Sequence, residues 1–248
     1  MLVSDQYKFI FIHIPKVAGT SVQHGLNESI CNPWELANWR IEWFLRRINS
    51  YLIPLSNQKV CLANPLYNEN SNSIKNPIYN KFINENYPEK AHAKALKIKE
   101  MVGEEKWDNY FKFAFVRNPW DYVVSMYSYG RRKKQPTTNP LLKQARIMTF
   151  DDYIKSLVAS DAFIQQQKDW ITDEYGKIIV DYVGKFESLT EDYYQILDQV
   201  GLPQKPLPGM NIDTAKSGKS YRSFYNYQTQ KIIEQKYKDD INLFGYKF

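Results

Sequence analysis

Cysteine is nearly absent. Two residues in a chain of 248, Cys31 and Cys61, make neither a disulfide framework nor a zinc-ligand pattern, and read as buried thiols of a reducing compartment. Glycine (10) and proline (12) are sparse, which excludes collagen-like and low-complexity chains. Only three histidines occur, so a search for an imidazole acid or base is confined to His13, His24 and His92. No stretch approaches the roughly 18 to 20 apolar residues that span a bilayer, and the N-terminus lacks a basic segment followed by an apolar one. The expectation is a soluble, cytoplasmic protein with no integral membrane segment. No metal-ligand cluster is evident in the spacing, and none is expected.

What is present is the composition of a packed globule: 43% hydrophobic, 24% charged and 15% aromatic. The length suits one well-cored domain, read here as residues 1–248. Lys plus Arg (33) exceed Asp plus Glu (27), a net charge of +6 that favours an anionic partner. The basic residues are scattered and do not form a stripe interleaved with aromatics, so a nucleic-acid-binding module is disfavoured.

Phe9-Ile10-Phe11-Ile12-His13-Ile14 is an apolar run that stops at Pro15, the pattern of a strand buried on both faces. A glycine-containing turn at 16–20 leads into a helix from about Ser21. Asn32-Pro33 then opens an amphipathic helix over 33–52, and 64–86, rich in Asn, Pro and Ser, reads as a long loop. Together these define a loop-rich, substrate-facing insertion at about 31–90. Helical pattern returns at 91–102. A second strand spans 110–116, and Asn118-Pro119 caps and starts the next helix. A basic turn covers 130–140, with helices near 150–159 and 162–171. A third strand spans 178–183, and Ser188-Leu189-Thr190-Glu191 is a capping box for a helix to about Val200. A loop at 203–220 precedes a last helix from about Tyr227. Strands alternating with helices predict an α/β fold, a parallel sheet flanked by helices on both faces.

Two constellations carry chemistry. In Pro15-Lys16-Val17-Ala18-Gly19-Thr20-Ser21, backbone N–H groups at a tight turn and helix start converge, the helix dipole favours negative charge, and Lys16, Thr20 and Ser21 add donors. This P-loop-like cradle is not a Walker A loop, because its lysine precedes the glycine. An ATP-dependent phosphotransferase is thereby disfavoured. The competing reading is ordinary helix capping. In the second, running from Phe115 to Ser125, Arg117 sits at a strand end and Ser125 about two turns into the following helix, so that both can hold one anionic oxygen cluster. The competing reading pairs Arg117 with Asp121 and leaves Ser125 as packing. Two phosphate-type sites at two strand ends match a nucleotide with phosphates at two separate positions.

These motifs, with Val183-Gly184-Lys185-Phe186-Glu187 and the closing 240–246 segment, resemble the sulfotransferases that use 3′-phosphoadenosine 5′-phosphosulfate (PAPS). The likeness is greatest to the group of bacterial and Golgi carbohydrate sulfotransferases. The resemblance spans nearly the whole chain and implies the sulfotransferase fold and sulfuryl transfer to an acceptor hydroxyl, a carbohydrate or glycoconjugate. It implies that Lys16, Ala18, Gly19, Thr20 and Ser21 hold the 5′-phosphosulfate, with Lys16 at the bridging oxygen. Arg117 and Ser125 would hold the 3′-phosphate, Phe186 would contact adenine, and Lys219, in Lys216-Ser217-Gly218-Lys219, would close over the 3′-phosphate. The competing reading of that last loop is a solvated basic turn.

For the base, His13 lies inside a strand and His24 about a turn past the loop. His92 starts a helix ahead of the Arg-Asn-Pro strand, where similar family members carry the same His-Ala segment, and it is the candidate general base; the competing reading is a helix-end capping residue, and His24 and His13 stay open for the role. Trp34, Trp39 and Trp43 with Arg40, Arg46 and Arg47 offer a wall for a sugar, though core packing and solvation account for most of them. Arg131-Arg132-Lys133-Lys134 reads as a solvated basic turn. A PAPS-binding protein without turnover stays open, as do the acceptor's identity and the oligomeric state.

Overall fold

The computed structural model describes residues 1–30, 92–132, 137–159, 165–209 and 220–248. The helix expected at 33–52 with its Trp and Arg residues, the loop at 64–86, both cysteines, Lys133, Lys134, Lys216, Lys219 and the start of the helix expected at 162–171 lie outside the described residues.

Strand β2 (Phe9–Ile12) has no solvent exposure at any of its four side chains, as its unbroken apolar run predicts. It pairs in parallel with β3 (Phe111–Val116), Phe9 opposite Phe111 and Ile12 opposite Ala114. Strand β3 pairs in parallel with β4 (Tyr182–Lys185), Phe113 opposite Tyr182. An unforeseen strand, β1 (Leu2–Ser4), adds antiparallel to β2, making the sheet mixed, in the order β1-β2-β3-β4. Strand β4 begins later than the expected 178–183. The Asp173 carboxylate accepts from the Tyr175 and Lys177 N–H groups at 3.0 and 2.8 Å, and this turn folds Ile178 back into an antiparallel bridge with Thr172.

Helix α1 (Gly19–Ile30) follows β2, and α2 (Ala95–Val102) with α3 (Glu104–Asn109) precede β3. After β3 come α4 (Pro119–Arg132), α5 (Pro140–Ile147) and α6 (Phe150–Ala159). After β4 come α7 (Leu189–Gln199), α8 (Tyr227–Lys236) and α9 (Lys238–Phe244). Helix α5, which follows the turn expected at 130–140, was not foreseen: the Asn139 side chain accepts from the Leu141 and Leu142 N–H groups with Pro140 at the first position, the same Asn-Pro start that opens α4. The capping box at 188–191 does not form. Residues 186–188 turn in a 3-10 helix, and the Ser188 hydroxyl donates instead to Asp192 at 2.8 Å, whose same oxygen accepts the Lys185 N–H at 2.6 Å. Where a helix was expected at 162–171, the described part holds only a 3-10 turn, Lys168–Trp170. Among the described residues no helix is long and apolar enough to cross a membrane.

The core is aromatic across β2 and β3, with Phe11 stacked on Phe113 at 5.2 Å between ring centroids. One cation is buried in it. Lys112 of β3 donates to the Trp107 and Tyr110 carbonyls at the end of α3, both at 2.8 Å, and its ammonium lies 2.9 Å from Asp181. Asp181 also accepts the Lys112 N–H at 2.7 Å and returns its own N–H to the Lys112 carbonyl at 2.8 Å, fixing the register of β4 on β3. The carboxyl ends of the three parallel strands lead directly to His13, Arg117 and Phe186, the edge where α/β sheets place ligands. Replacing Lys112 by methionine leaves two helix-end carbonyls without their donor and Asp181 without its ammonium partner. The expected cost is about 2–3 kcal/mol, read as a lower urea midpoint at unchanged slope.

Candidate functional site

The loop between β2 and α1 holds two non-glycine residues in the left-handed region, Lys16 (φ 64°) and Ala18 (φ 63°), with a fully buried Val17 between them. Such backbone costs on the order of 1 kcal/mol per residue. Left-handed residues alternating with right-handed ones are the backbone pattern of anion-binding nests. The Ala18 carbonyl takes the first helical bond of α1, from Val22 at 3.0 Å. The N–H groups of Gly19, Thr20 and Ser21 therefore stand ahead of the helical ladder, at the positive end of a 12-residue helix. Gly19 is required by contact: a Cβ there would lie 1.9 Å from the His13 ring. Ser21 is buried and Thr20 half-buried on the same turn.

Arg117 leaves the end of β3 toward this loop. Its Nε and one terminal nitrogen donate to Asp121 at 2.8 and 2.7 Å, and the other terminal nitrogen donates to the Lys16 carbonyl at 3.2 Å. The guanidinium lies 3.9 Å above the Phe186 ring. The pairing with Asp121 is thus present, and these bonds use three of the five N–H groups of the side chain. Ser125 is buried one turn beyond Asp121, and Tyr129 one turn beyond that. The Lys16 ammonium rests 4.2 Å over the Tyr129 ring. Loop and helix therefore run alongside each other, with Lys16 and Arg117 at the two ends of one stripe of α4. Phe186 meets the guanidinium with its ring face, and Glu187 beside it accepts the Asn118 N–H at 2.7 Å.

His92 lies over the start of the loop. Its Nδ1 is 3.0 Å from the His13 carbonyl oxygen, which can only accept, so Nδ1 carries the proton and Nε2 of the neutral ring keeps its lone pair. The ring stands edge-on to His13 at 4.4 Å and to Trp170 at 6.4 Å. Burial lowers the His92 pKa below the ordinary imidazole value, against the opposing effect of that hydrogen bond. His13 is buried, its Nδ1 has no hydrogen-bond partner among the described residues, and burial, with His92 nearby, pushes its pKa down to about 2. His24, in α1, is also lowered by burial.

The structure brings together Lys16, Ala18, Gly19, Thr20, Ser21, Arg117, Ser125, Phe186 and His92; Lys219 is outside the described residues. Sequence reasoning did not single out Tyr129, Gln167, Trp170 or Asp240. Tyr129 was accessible as the next member of the four-residue series Arg117, Asp121, Ser125. Gln167 and Asp240 carry no local signal, since each acts on a partner about 50 or more positions away in the chain. Among the described residues no cluster of three or more His, Cys, Asp or Glu is arranged to hold a metal ion.

The neutral, buried His13 makes stability pH-dependent. Between about 6.5, the ordinary imidazole value, and about 2, the unfolded chain binds the extra proton and the folded one does not. Stability is therefore lost as pH falls below 6.5, at up to about 1.4 kcal/mol per pH unit. Asp240, pushed up to about 6 by burial, works in the opposite sense as it protonates. The measurement is thus a comparison of urea midpoints from pH 7 to 5 for the wild type and His13→Asn, with the steeper acid loss expected in the wild type.

The sulfotransferase family matches residues 1–247 of the chain. An uncharacterized protein of Archaeoglobus fulgidus is 33% identical over 111 residues, covering 45% of this chain and 84% of that one. No solved structure matches the chain significantly. With an anion-ready loop and an arginine joined at the carboxyl ends of adjacent parallel strands, and a family match over nearly its full length, the chain belongs to the sulfotransferase family and is a sulfuryl transferase.

Proposed function

We propose that the protein transfers the sulfuryl group of PAPS to a hydroxyl of an acceptor, a carbohydrate or glycoconjugate, as the likeness of its motifs to carbohydrate sulfotransferases implies. The observation that carries this reading is the direct bond from Arg117 to the Lys16 carbonyl at 3.2 Å, which sets two cation-bearing strand ends side by side. A nucleotide with separate 5′ and 3′ anionic groups has one such end for each. The residues fit that ligand. The N–H groups of Gly19, Thr20 and Ser21 precede the helical ladder of α1, the close contact of Gly19 with His13 leaves no side chain in the turn, and Arg117 retains donors beyond those used internally.

In this reading Lys16, Ala18, Gly19, Thr20 and Ser21 hold the 5′-phosphosulfate, while Arg117 and Ser125 hold the 3′-phosphate. Phe186 supports the guanidinium from beneath and borders the base, and Lys219 is proposed to approach the 3′-phosphate. The bound nucleotide supplies the activated sulfuryl group. His92 Nε2, left free by the bond at Nδ1, takes the proton of the acceptor hydroxyl as its oxygen attacks sulfur in line. The new S–O bond forms as the S–O bond to the departing adenosine 3′,5′-bisphosphate breaks. Lys16 and the loop N–H groups neutralise the charge that gathers on the leaving phosphate, with positioning and fixed positive charge supplying the acceleration. An ATP-dependent phosphotransferase is not supported, since the lysine precedes the glycine of the loop.

Adenosine 3′,5′-bisphosphate is expected to raise the melting temperature more than ADP or ATP at equal concentration, by mass action on the folded state. Arg117→Ala should remove that preference, and equal shifts with ADP and the bisphosphate would sink the assignment of the 3′ site. His92→Ala should keep bisphosphate binding and lose transfer by a factor on the order of 10²–10⁴. The acid limb of kcat/KM in the wild type should lie below the ordinary imidazole value, because burial lowers the His92 pKa. Transfer retained in His92→Ala would move the role to His24, His13 or Lys16.

A further inference from the structure

Arg117 stands one residue past the end of β3, beyond the pairing of either neighbouring strand. Its backbone is nevertheless satisfied. The side-chain carbonyl of Gln167 accepts the Arg117 N–H at 2.8 Å, and the amide nitrogen of Gln167 donates to the Arg117 carbonyl at 2.7 Å. A primary amide sets an N–H beside a carbonyl oxygen in one plane, the pair that an adjacent strand residue would offer, so Gln167 extends the sheet by one rung without any strand.

Gln167 is itself gripped. It has no solvent exposure, and its backbone N–H donates to Asp240 Oδ2 at 2.7 Å while the next N–H, of Lys168, donates to Oδ1 at 2.9 Å. Asp240, of α9, is equally buried, and its own N–H returns to the Gln166 side chain at 3.3 Å. The carboxylate thus clamps the entry to the 3-10 turn Lys168–Trp170, whose last residue, Trp170, stands edge-on to His92 at 6.4 Å. One short segment, anchored from the far end of the chain, touches the residues on both sides of the site.

We propose that Gln167, seated by Asp240, is a positioning residue for sulfuryl transfer, fixing the backbone of Arg117 and with it the direction in which the guanidinium meets the anion. The assignment rests on the reading of Arg117 given above. The lever is long: a backbone rotation of about 10° moves a guanidinium roughly 6 Å from its Cα by roughly 1 Å, a displacement that costs catalysis heavily. Asp121 and Phe186 constrain the guanidinium itself, but neither holds the backbone from which it departs.

The test compares full-length variants by bisphosphate Kd and steady-state kinetics with PAPS. Gln167→Met, of similar volume but with no amide, is expected to raise the bisphosphate Kd and the KM for PAPS by about tenfold while leaving the KM for the acceptor unchanged. Gln167→Glu, whose carboxyl when protonated again offers one donor and one acceptor, is expected to bind the bisphosphate closer to wild type at pH 6 than at pH 8, and carries the same test if the methionine variant does not fold. Leu157→Ala, a core truncation in α6, should lower the melting temperature without changing the bisphosphate Kd. Wild-type bisphosphate binding in Gln167→Met, or an equal loss in Leu157→Ala, overturns the proposal. A bisphosphate Kd unchanged by Arg117→Ala overturns the reading of Arg117 instead, and the positioning role with it.

Discussion

The guanidinium of Arg117, bonded to Asp121 within its own helix start and to the Lys16 carbonyl across the sheet edge, is the contact on which the architecture of the site turns. Two loops that follow adjacent parallel strands are far apart in sequence, and burial of the strands alone does not set how those loops face each other. A buried arginine left unpaired would cost several kcal/mol, so its position is dictated by where its partners are. Asp121 offers the charge, Phe186 the ring face, and the Lys16 carbonyl an acceptor exposed by the left-handed turn of the loop. The strain at Lys16 and Ala18 and the burial of Arg117 are in this sense one feature.

Around that contact the polar groups are divided by solvent access. His13, sealed beneath Gly19 and His92, stays neutral and serves as a wall, its carbonyl orienting the second imidazole while its ring fixes the close approach of the loop. His92, in contact with solvent, keeps a nitrogen free for proton transfer. Asp240 is held by backbone N–H groups, and burial still raises its pKa, which marks it as a structural clamp retained against an electrostatic cost. The charged residues of the site are therefore not equivalent, and their roles follow from which are desolvated and which are paired.

Much of the fold was legible because the signals were local. The runs 9–12 and 111–116 have apolar residues on both faces and no competing period, and the Asn-Pro pair at 118–119 starts a helix where one is found. The errors were local signals overridden by neighbours. Ile178, Ile179 and Val180 have strand composition, yet an Asp173 turn folds Ile178 back onto Thr172, and Ser188 bonds Asp192 where a capping box with Glu191 was expected. Strand β1 was invisible because three residues carry no readable period.

The sequence by itself determined the excess of positive charge, a sum over the chain, and the two anion-ready motifs with the strand-to-helix order that puts both at carboxyl ends of strands, since each motif is encoded within about ten consecutive residues. Only the tertiary structure decided that Lys16 and Arg117 share a bond, that the Nδ1 of His92 donates to the His13 carbonyl, and that Gln167 and Asp240 stand behind Arg117. Those relations join residues 50 to 101 positions apart, from Gln167 and Arg117 to Lys16 and Arg117. They depend on distances of 2.7–3.2 Å between groups whose spacing in the chain carries no information about their spacing in space.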